Sequence, residues 1–357
     1  MKYLNLNDLH LGVQRTGGTT NASAEALRAY GHTKHRGLLN LAGPETTVIV
    51  NGDLADTYDI PLREALEIYA AAAEWLQAVK GQLVWALGNH DLSKDSAKLG
   101  TVAFIGRLLQ VQFPDNFRLI DRPTALNDEV YILPHVANQD IFDLELTKVP
   151  AGVKYLFLHC NVDNAFAGQA DHSLNITRDQ LKVLVKAGTN VIIGHEHQGR
   201  TLMNDKVVVV GNQFPTSVSD CLKHGDGQAD GHKYALAIEG EDMELIPTWG
   251  PKDLVGWFQE IDWRDLGRAP EGQGFLRVTG EAEASEAADV IKSIAKLRQA
   301  SEAFVITNAV KVAGVDGVDA LAESVEDIKS VDVVQMLLES LDPEQRTVVE
   351  RLLKEEA

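Results

Sequence analysis

Leu83-Val84-Trp85-Ala86-Leu87-Gly88-Asn89-His90-Asp91 runs from five apolar residues into a glycine and three polar side chains. A short apolar run bounded by glycine reads as a buried strand, so its polar tail stands at the strand's carboxyl end. The pattern recurs along the chain. Asp8-Leu9-His10 follows the strand-like Lys2–Asn7, and Gly52-Asp53 follows Val48-Ile49-Val50-Asn51. His159 closes Tyr155-Leu156-Phe157-Leu158, and Gly194-His195-Glu196-His197 follows Val191-Ile192-Ile193. In open α/β sheets, sites form outside the carboxyl ends of the strands. Five such ends predict one rim on which these side chains meet.

The residue types at that rim point to metal chemistry. In an extended backbone, residues i and i+2 point the same way, so Asp8 and His10 aim at one point, as do His195 and His197. Asp53 has two carboxylate oxygens and can bridge two cations. Asn89 adds a neutral oxygen ligand. Imidazole with carboxylate suits Mn, Fe or Zn better than Mg or Ca, and a pair of divalent metals is suited to breaking phosphate esters. The side chain of His90 points away from that of Asn89, which leaves it off the metals and free to protonate or stabilise a leaving oxygen. Each segment alone has a bland reading as a turn or cap; the five together, each after an apolar run, favour the site. His32, His35, His135, His172, His224 and His232 are expected to be surface or structural, with His135 and His172 near the rim.

The order Asp-x-His, Gly-Asp, Gly-Asn-His-Asp, His, Gly-His-x-His resembles the calcineurin-like metallophosphoesterases. Within them, Asp8-Leu9-His10-Leu11-Gly12 and the chain length resemble the SbcD-type exonuclease subunits of DNA-break repair, and the phage recombination nucleases of that group most. The resemblance covers residues 1–250 through motifs and the remainder through layout. It implies a four-layer αββα sandwich and a Mn-dependent nuclease. It implies that Asp8, His10, Asp53 and His197 hold one metal, that Asp53, Asn89, His159 and His195 hold the other, and that His90 is the acid or transition-state residue. Many members carry a second His three residues after the bridging Asp; here Asp56 stands there. The Ser/Thr protein phosphatases carry Arg directly after the Asp at that place and Glu after Asn-His. Thr57 and Asp91 in this chain argue against that class.

A length of 357 residues suggests two or three domains. No run approaches the ~20 apolar residues of a membrane span, and Met1-Lys2-Tyr3-Leu4-Asn5 does not start a signal peptide. Cys160 and Cys221 make no disulfide framework, so a reducing cytoplasm is expected (the host's, if the gene is a phage's). Cys160 is expected to face away from His159 and to be inert. The net charge of −19 runs against the basic footprint of nucleic-acid binders. The local exception is residues 14–36, where Arg15, Arg28, Lys34 and Arg36 face only Glu25. That segment reads either as a grip on a phosphate backbone or as a solvated face. The acidity suggests that a partner supplies much of the affinity for DNA.

Strands are expected at Lys2–Asn7, Thr46–Asn51, Leu83–Leu87, Val207–Val210 and Tyr234–Ile238, and helices at Ala24–Asn40, from Pro61 to about Lys80 with Leu62, Leu66, Tyr69 and Leu76 as its stripe, and from Thr177 to Ala187. Gly211–Gly231 reads as a long loop at the rim. This gives a nuclease domain over 1–250. Residues 251–313 read as a connecting segment, then a small βαβ unit at Gly274–Thr279, Ala284–Arg298 and Ala303–Val312, and by its layout the resemblance implies that this is a capping domain. After a linker at Gly314–Glu323, residues 324–357 form two amphipathic helices. One carries Val331, Val334, Leu337, Leu338 and Leu341. The other is started by Asp342-Pro343. By resemblance, this helical pair binds an SbcC-like ABC-type ATPase. Pairing with a second copy of the chain is left open.

The expected function is therefore a two-metal phosphodiesterase on DNA. The rivals are a small-molecule phosphoesterase or nucleotide pyrophosphatase with the same centre, and a scaffold subunit with a vestigial site.

Overall fold

A computed structural model describes residues 2–13, 21–79, 81–93, 95, 98–164, 173–222, 232–250, 257–268, 274–301, 303 and 305–312. Two six-stranded sheets lie face to face. In the first, β1 (Lys2–Leu6), β2 (Thr46–Asn51), β3 (Gln82–Ala86) and β4 (Phe117–Ile120) are parallel neighbours. β13 (Lys233–Glu239) and β14 (Asp242–Trp249) extend it antiparallel beyond β1. In the second, β6 (Val130–Leu133), β7 (Tyr155–His159), β10 (Asn190–Gly194) and β12 (Val207–Val209) are parallel. Its antiparallel edges are β5 (Thr124–Ala125) and β11 (Arg200–Leu202). The short β8 (Asn161–Val162) and β9 (Asn175–Ile176) pair with each other.

Side chains alternate along a strand, and that alternation sorts the apolar runs into layers. Ile49, Val84, Phe157 and Ile192 meet between the sheets. Val48, Val50, Leu83 and Trp85 face outward from the first sheet, and Leu156, Leu158, Val191 and Ile193 from the second. Strands covered on both faces read as continuous apolar runs, which is why these segments were visible in the sequence. Helices α1 (Asn21–Leu39), α2 (Leu62–Ala78) and α3 (Thr101–Gln112) cover the first sheet, and α4 (Gln139–Leu146) and α5 (Arg178–Lys186) cover the second. The result is the four-layer αββα sandwich. Thr177 and Gln180 form the capping box that starts α5. Among the described residues, no helix is long and apolar enough to cross a membrane.

The packing face of α2 keeps Leu76 and the partly buried Tyr69 of the expected stripe but not its two other leucines. Leu62 is 74% exposed and Leu66 58%, whereas Ala65, Ile68, Ala72 and Trp75 are buried. The small side chains let the helix approach the sheet closely, and Trp75 fills the remaining space with its Nε1–H donating to the Leu39 carbonyl at 2.9 Å. On α3, Phe104, Leu108 and Val111 are likewise exposed.

Beyond the sandwich, β15 (Phe258–Asp262), β16 (Phe275–Thr279) and β18 (Val305–Asn308) form a parallel three-stranded sheet. It packs on α6 (Ala287–Ala300) through Leu276, Val278, Val290, Ile294, Leu297 and Ile306. β17 (Glu281–Ala282) and β19 (Lys311–Val312) pair beside it. The expected connecting segment thus contains a strand, β15, whose residues are only half buried or exposed and so carry little apolar pattern. Phe275 joins the helix-side core of the first sheet, and Trp257 lies 4.3 Å from the Tyr30 ring of α1. The expected linker at 314–323 and the two expected C-terminal helices at 324–357 lie outside the described residues.

Candidate metal centre

Past the ends of β1 and β2, the two chains stay bonded. Asp8 N–H donates to Gly52 O at 3.1 Å, His10 N–H to Asp53 O at 3.0 Å and Leu11 N–H to Leu54 O at 2.9 Å. Asp8, His10, Asp53 and His195 all take left-handed backbone angles, with φ of 52°, 43°, 50° and 91°. The extended geometry expected for Asp8-x-His10 and His195-x-His197 is therefore wrong: turned backbones aim these side chains. Asp and His enter this region more readily than most residues, but each such angle still costs about 1–3 kcal/mol, a strain typical of functional sites. The glycines ahead of the ligands provide room. A Cβ on Gly52 would stand 2.0 Å from His159 Nδ1, and one on Gly88 would stand 2.1 Å from Asp53 Oδ1.

The side chains converge in two groups around Asp53. Ligand atoms of Asp8, His10 and His197 lie within 4.8 Å of one another, and so do those of Asp53, His159 and His195. Asp53 Oδ2 is 3.9 Å from His10 Nε2 and 3.1 Å from His159 Nε2. Asn89 Oδ1 lies 3.0 Å from both His159 Nε2 and His195 Nδ1. His10 Nε2 and His197 Nε2 are 3.0 Å apart. His90 shares a third group with His10 and Asp53. Its Nδ1–H donates to the Asp56 carbonyl at 2.6 Å, and its ring stands edge-on to that of His10.

These donor atoms fit cations. His159 Nδ1–H donates to Asn51 O at 3.0 Å, so the lone pair of Nε2 faces two oxygens. A cation or a second ring proton must stand between them. Burial works against a charged His159, but Asp53 more than offsets it and raises its pKa to about 10. For Asp53, burial is likewise outweighed by His159 and His90, which hold the carboxyl well below the ordinary range. Burial lowers His10 to about 4, with Asp56 opposing and His90 and His197 adding to the shift. A neutral imidazole is the form that binds a metal.

Sequence reasoning missed the contacts that hold these side chains in place. Asp91 is buried and accepts from Gly88 N–H at 2.9 Å and Ala55 N–H at 3.0 Å, tying the β2 and β3 loops together. Burial and the neighbouring Asp53 raise its pKa to about 7. Asp8 accepts from His195 N–H at 2.9 Å and from Asn7 Nδ2 at 2.5 Å. Asp56, in place of the second family His, sets its carboxylate 3.5 Å from His10 Nδ1. Asp220 lies 2.7 Å from His197 Nδ1; it belongs to the predicted Gly211–Gly231 rim loop but to no motif.

The other candidates resolve differently. Cys160 is buried on the helix side of the second sheet, where burial pushes its thiol up. His35 is buried, and His32 is buried against Glu64 at 2.6 Å. His135 is half buried, its N–H donating to Leu87 O at the end of β3, and His232 is exposed and stacked on Tyr234. His172 and His224 lie outside the described residues. In the basic segment, Arg36 pairs with Glu67 and Glu74, and Arg28 with Glu64. The acidic partners come from α2, so Arg28 and Arg36 are balanced in space although the segment is basic in sequence. Arg15 lies outside the described residues.

A sandwich that gathers acid, amide and imidazole ligands in two groups sharing one carboxylate defines a metal-dependent phosphoester hydrolase. The family model of calcineurin-like phosphoesterases matches residues 1–226, and the chain belongs to that family. Among solved structures, it is similar to the protein TT1561 of Thermus thermophilus at 10% identity and TM-score 0.40, covering 69% of this chain and 98% of that one. It is also similar to a dimetal phosphatase from Danio rerio at 12% identity and TM-score 0.36, covering 70% and 96%. No curated protein matches the chain.

Proposed function

We propose that the chain is a two-metal phosphodiesterase acting on DNA, the nuclease subunit of a recombination or repair complex with an SbcC-like ABC-type ATPase. The observation that carries the two-metal reading is Asp53, whose Oδ2 faces His10 on one side and His159 on the other. Asp8, His10, Asp53 and His197 would hold one cation, and Asp53, Asn89, His159 and His195 the other, with Mn as the metal. Such a pair supplies a nucleophile from water at neutral pH and neutralises phosphate oxygens. The chain's own part is orientation and proton handling. Asp8 and Asn89 fix the angle between the two halves through His195, whose N–H and Nδ1 they meet. His90, whose Nδ1–H donates to the Asp56 carbonyl and which stands beside His10 and Asp53, would protonate or stabilise the departing sugar oxygen.

The assignment to DNA is supported by the family motifs and by the additional three-stranded sheet with α6, which a small substrate does not need. The ATPase would bind at residues 324–357. Exposed Leu62 and Leu66 on α2 and Phe104 and Leu108 on α3 support a further protein-facing surface for a second copy. One observation favours the alternative of a nucleotide or other small phosphoester: Arg28 and Arg36, two of the four basic side chains that DNA would use, are paired with α2. Digestion of linear duplex DNA in Mn, with and without the ATPase, set against hydrolysis of nucleotides, separates the two. DNA degraded in Mn and stimulated by the partner with ATP is the expected result. Turnover of nucleotides alone would replace the reading.

A further inference from the structure

Asp220 stands 23 residues beyond the last ligand, His197, yet the structure builds a dedicated seat for it. It lies in the short 3-10 turn Ser219–Cys221 and is 2% exposed. Its Oδ2 accepts from Thr216 N–H at 2.9 Å, Thr216 Oγ1–H at 3.0 Å and Ser217 N–H at 3.0 Å. Three donors on one oxygen prevent the carboxylate from rotating, and the other oxygen, Oδ1, meets His197 Nδ1 at 2.7 Å. The backbone of His197 is fixed as well, because its carbonyl accepts from the buried Lys233 Nζ at 3.2 Å. His197 Nε2 is thereby aimed at His10 Nε2, 3.0 Å away.

We propose that Asp220 is the positioning residue of His197 in the Asp8/His10/His197 half of the centre, holding the ring proton of His197 on Nδ1 so that Nε2 offers its lone pair to the cation. The assignment rests on the two-metal reading. A carboxylate behind a ligating imidazole fixes its orientation and raises its basicity. His159, in the other half, has only the Asn51 carbonyl in that position. The dependence on Asp220 is therefore one-sided.

Asp220→Asn makes a sharp test because the seat dictates how the amide sits. Thr216 and Ser217 donate two backbone N–H groups to one oxygen, so the amide oxygen takes that side and the NH2 faces His197. The ring must then place its proton on Nε2, pointing into the metal site. In the metal-free unchanged protein, nitrogen-resolved NMR of the histidine rings at alkaline pH should show His197 as the Nδ1–H form, and Asp220→Asn should convert it to the Nε2–H form. In calorimetric Mn titrations of the full chain, Asp220→Asn and Asp220→Ala should weaken one of two binding steps about 10- to 100-fold and leave the other in place. An Nε2–H form of His197 in the unchanged protein overturns the inference even if neither variant folds, and so do two unaltered binding steps in the folded variants. An unchanged protein that takes up no Mn would instead sink the two-metal reading itself.

Discussion

His35 has both ring nitrogens buried without a hydrogen-bond partner. Burial, helped by His32 and Arg36, lowers its pKa from 6.5 to about 3. The native state therefore refuses a proton that the unfolded chain accepts between those values. The stability is present above pH 6.5 and is lost as pH falls, at about 1.4 kcal/mol per pH unit. Denaturant unfolding of the unchanged protein and His35→Leu at stepped pH should show their difference changing with that slope below pH 6.5; a flat difference would contradict it. Gly88→Ala should lower Tm and abolish Mn uptake, because its Cβ meets Asp53 Oδ1 at 2.1 Å and the Asp53 N at 2.4 Å. Gly37→Ala is the control. Nothing lies within 4 Å of its Cβ, so the helix should gain up to about 1 kcal/mol. At this scale the candidate site was most legible where a polar side chain stood directly after an apolar run, as for Asp8, Asp53, Asn89, His159 and His195, which the structure brings together. Asp220 and the burial of His35 were not, because neither depends on a local pattern: tertiary neighbours from other elements create both environments.

The helices show why hydropathy alone misplaces a face. Leu66 reads as core and is solvent-exposed, whereas Ala72, outside the expected stripe, is fully buried. Ala72→Leu should therefore destabilise by about 1–3 kcal/mol through overpacking, and Leu66→Ala should change the melting free energy by no more than about 0.5 kcal/mol. The reverse order in thermal melts would restore the stripe read from the sequence. The ion pairs from α1 to α2 have a similar lesson. Arg36 is basic in a sequence window but faces Glu67 and Glu74 across the helix pair. Half-exposed pairs of this kind contribute little stability, so Arg36→Ala should barely alter Tm. Strand β15 was missed for the opposite reason: Phe258-Gln259-Glu260-Ile261-Asp262 lacks an apolar run, and it is a strand only because β16 pairs with it.

The doubly covered sandwich was legible because its central strands bury both faces and its ligands mark their ends; the contacts between the small sheet and α1 were not, since Trp257 and Tyr30 are far apart in sequence. Deleting residues 324–357 removes no proposed ligand. On the proposed function, the truncated protein should keep its Tm, its metal uptake and its turnover of a small diester, and should lose capture by the proposed ATPase partner and any ATP-stimulated digestion of duplex DNA. A large fall in Tm without any partner would place residues 324–357 on the body instead. The central claim is that Asp53 joins two cations while His90 stays off both. Mn bound per chain, measured with turnover of a small phosphodiester, tests it most directly. The unchanged protein should bind two Mn, Asp53→Ala should lose both the metals and the activity, and His90→Ala should keep two Mn while turnover falls by about 10² to 10⁴. One Mn in the unchanged protein, or loss of Mn from His90→Ala, would contradict the account.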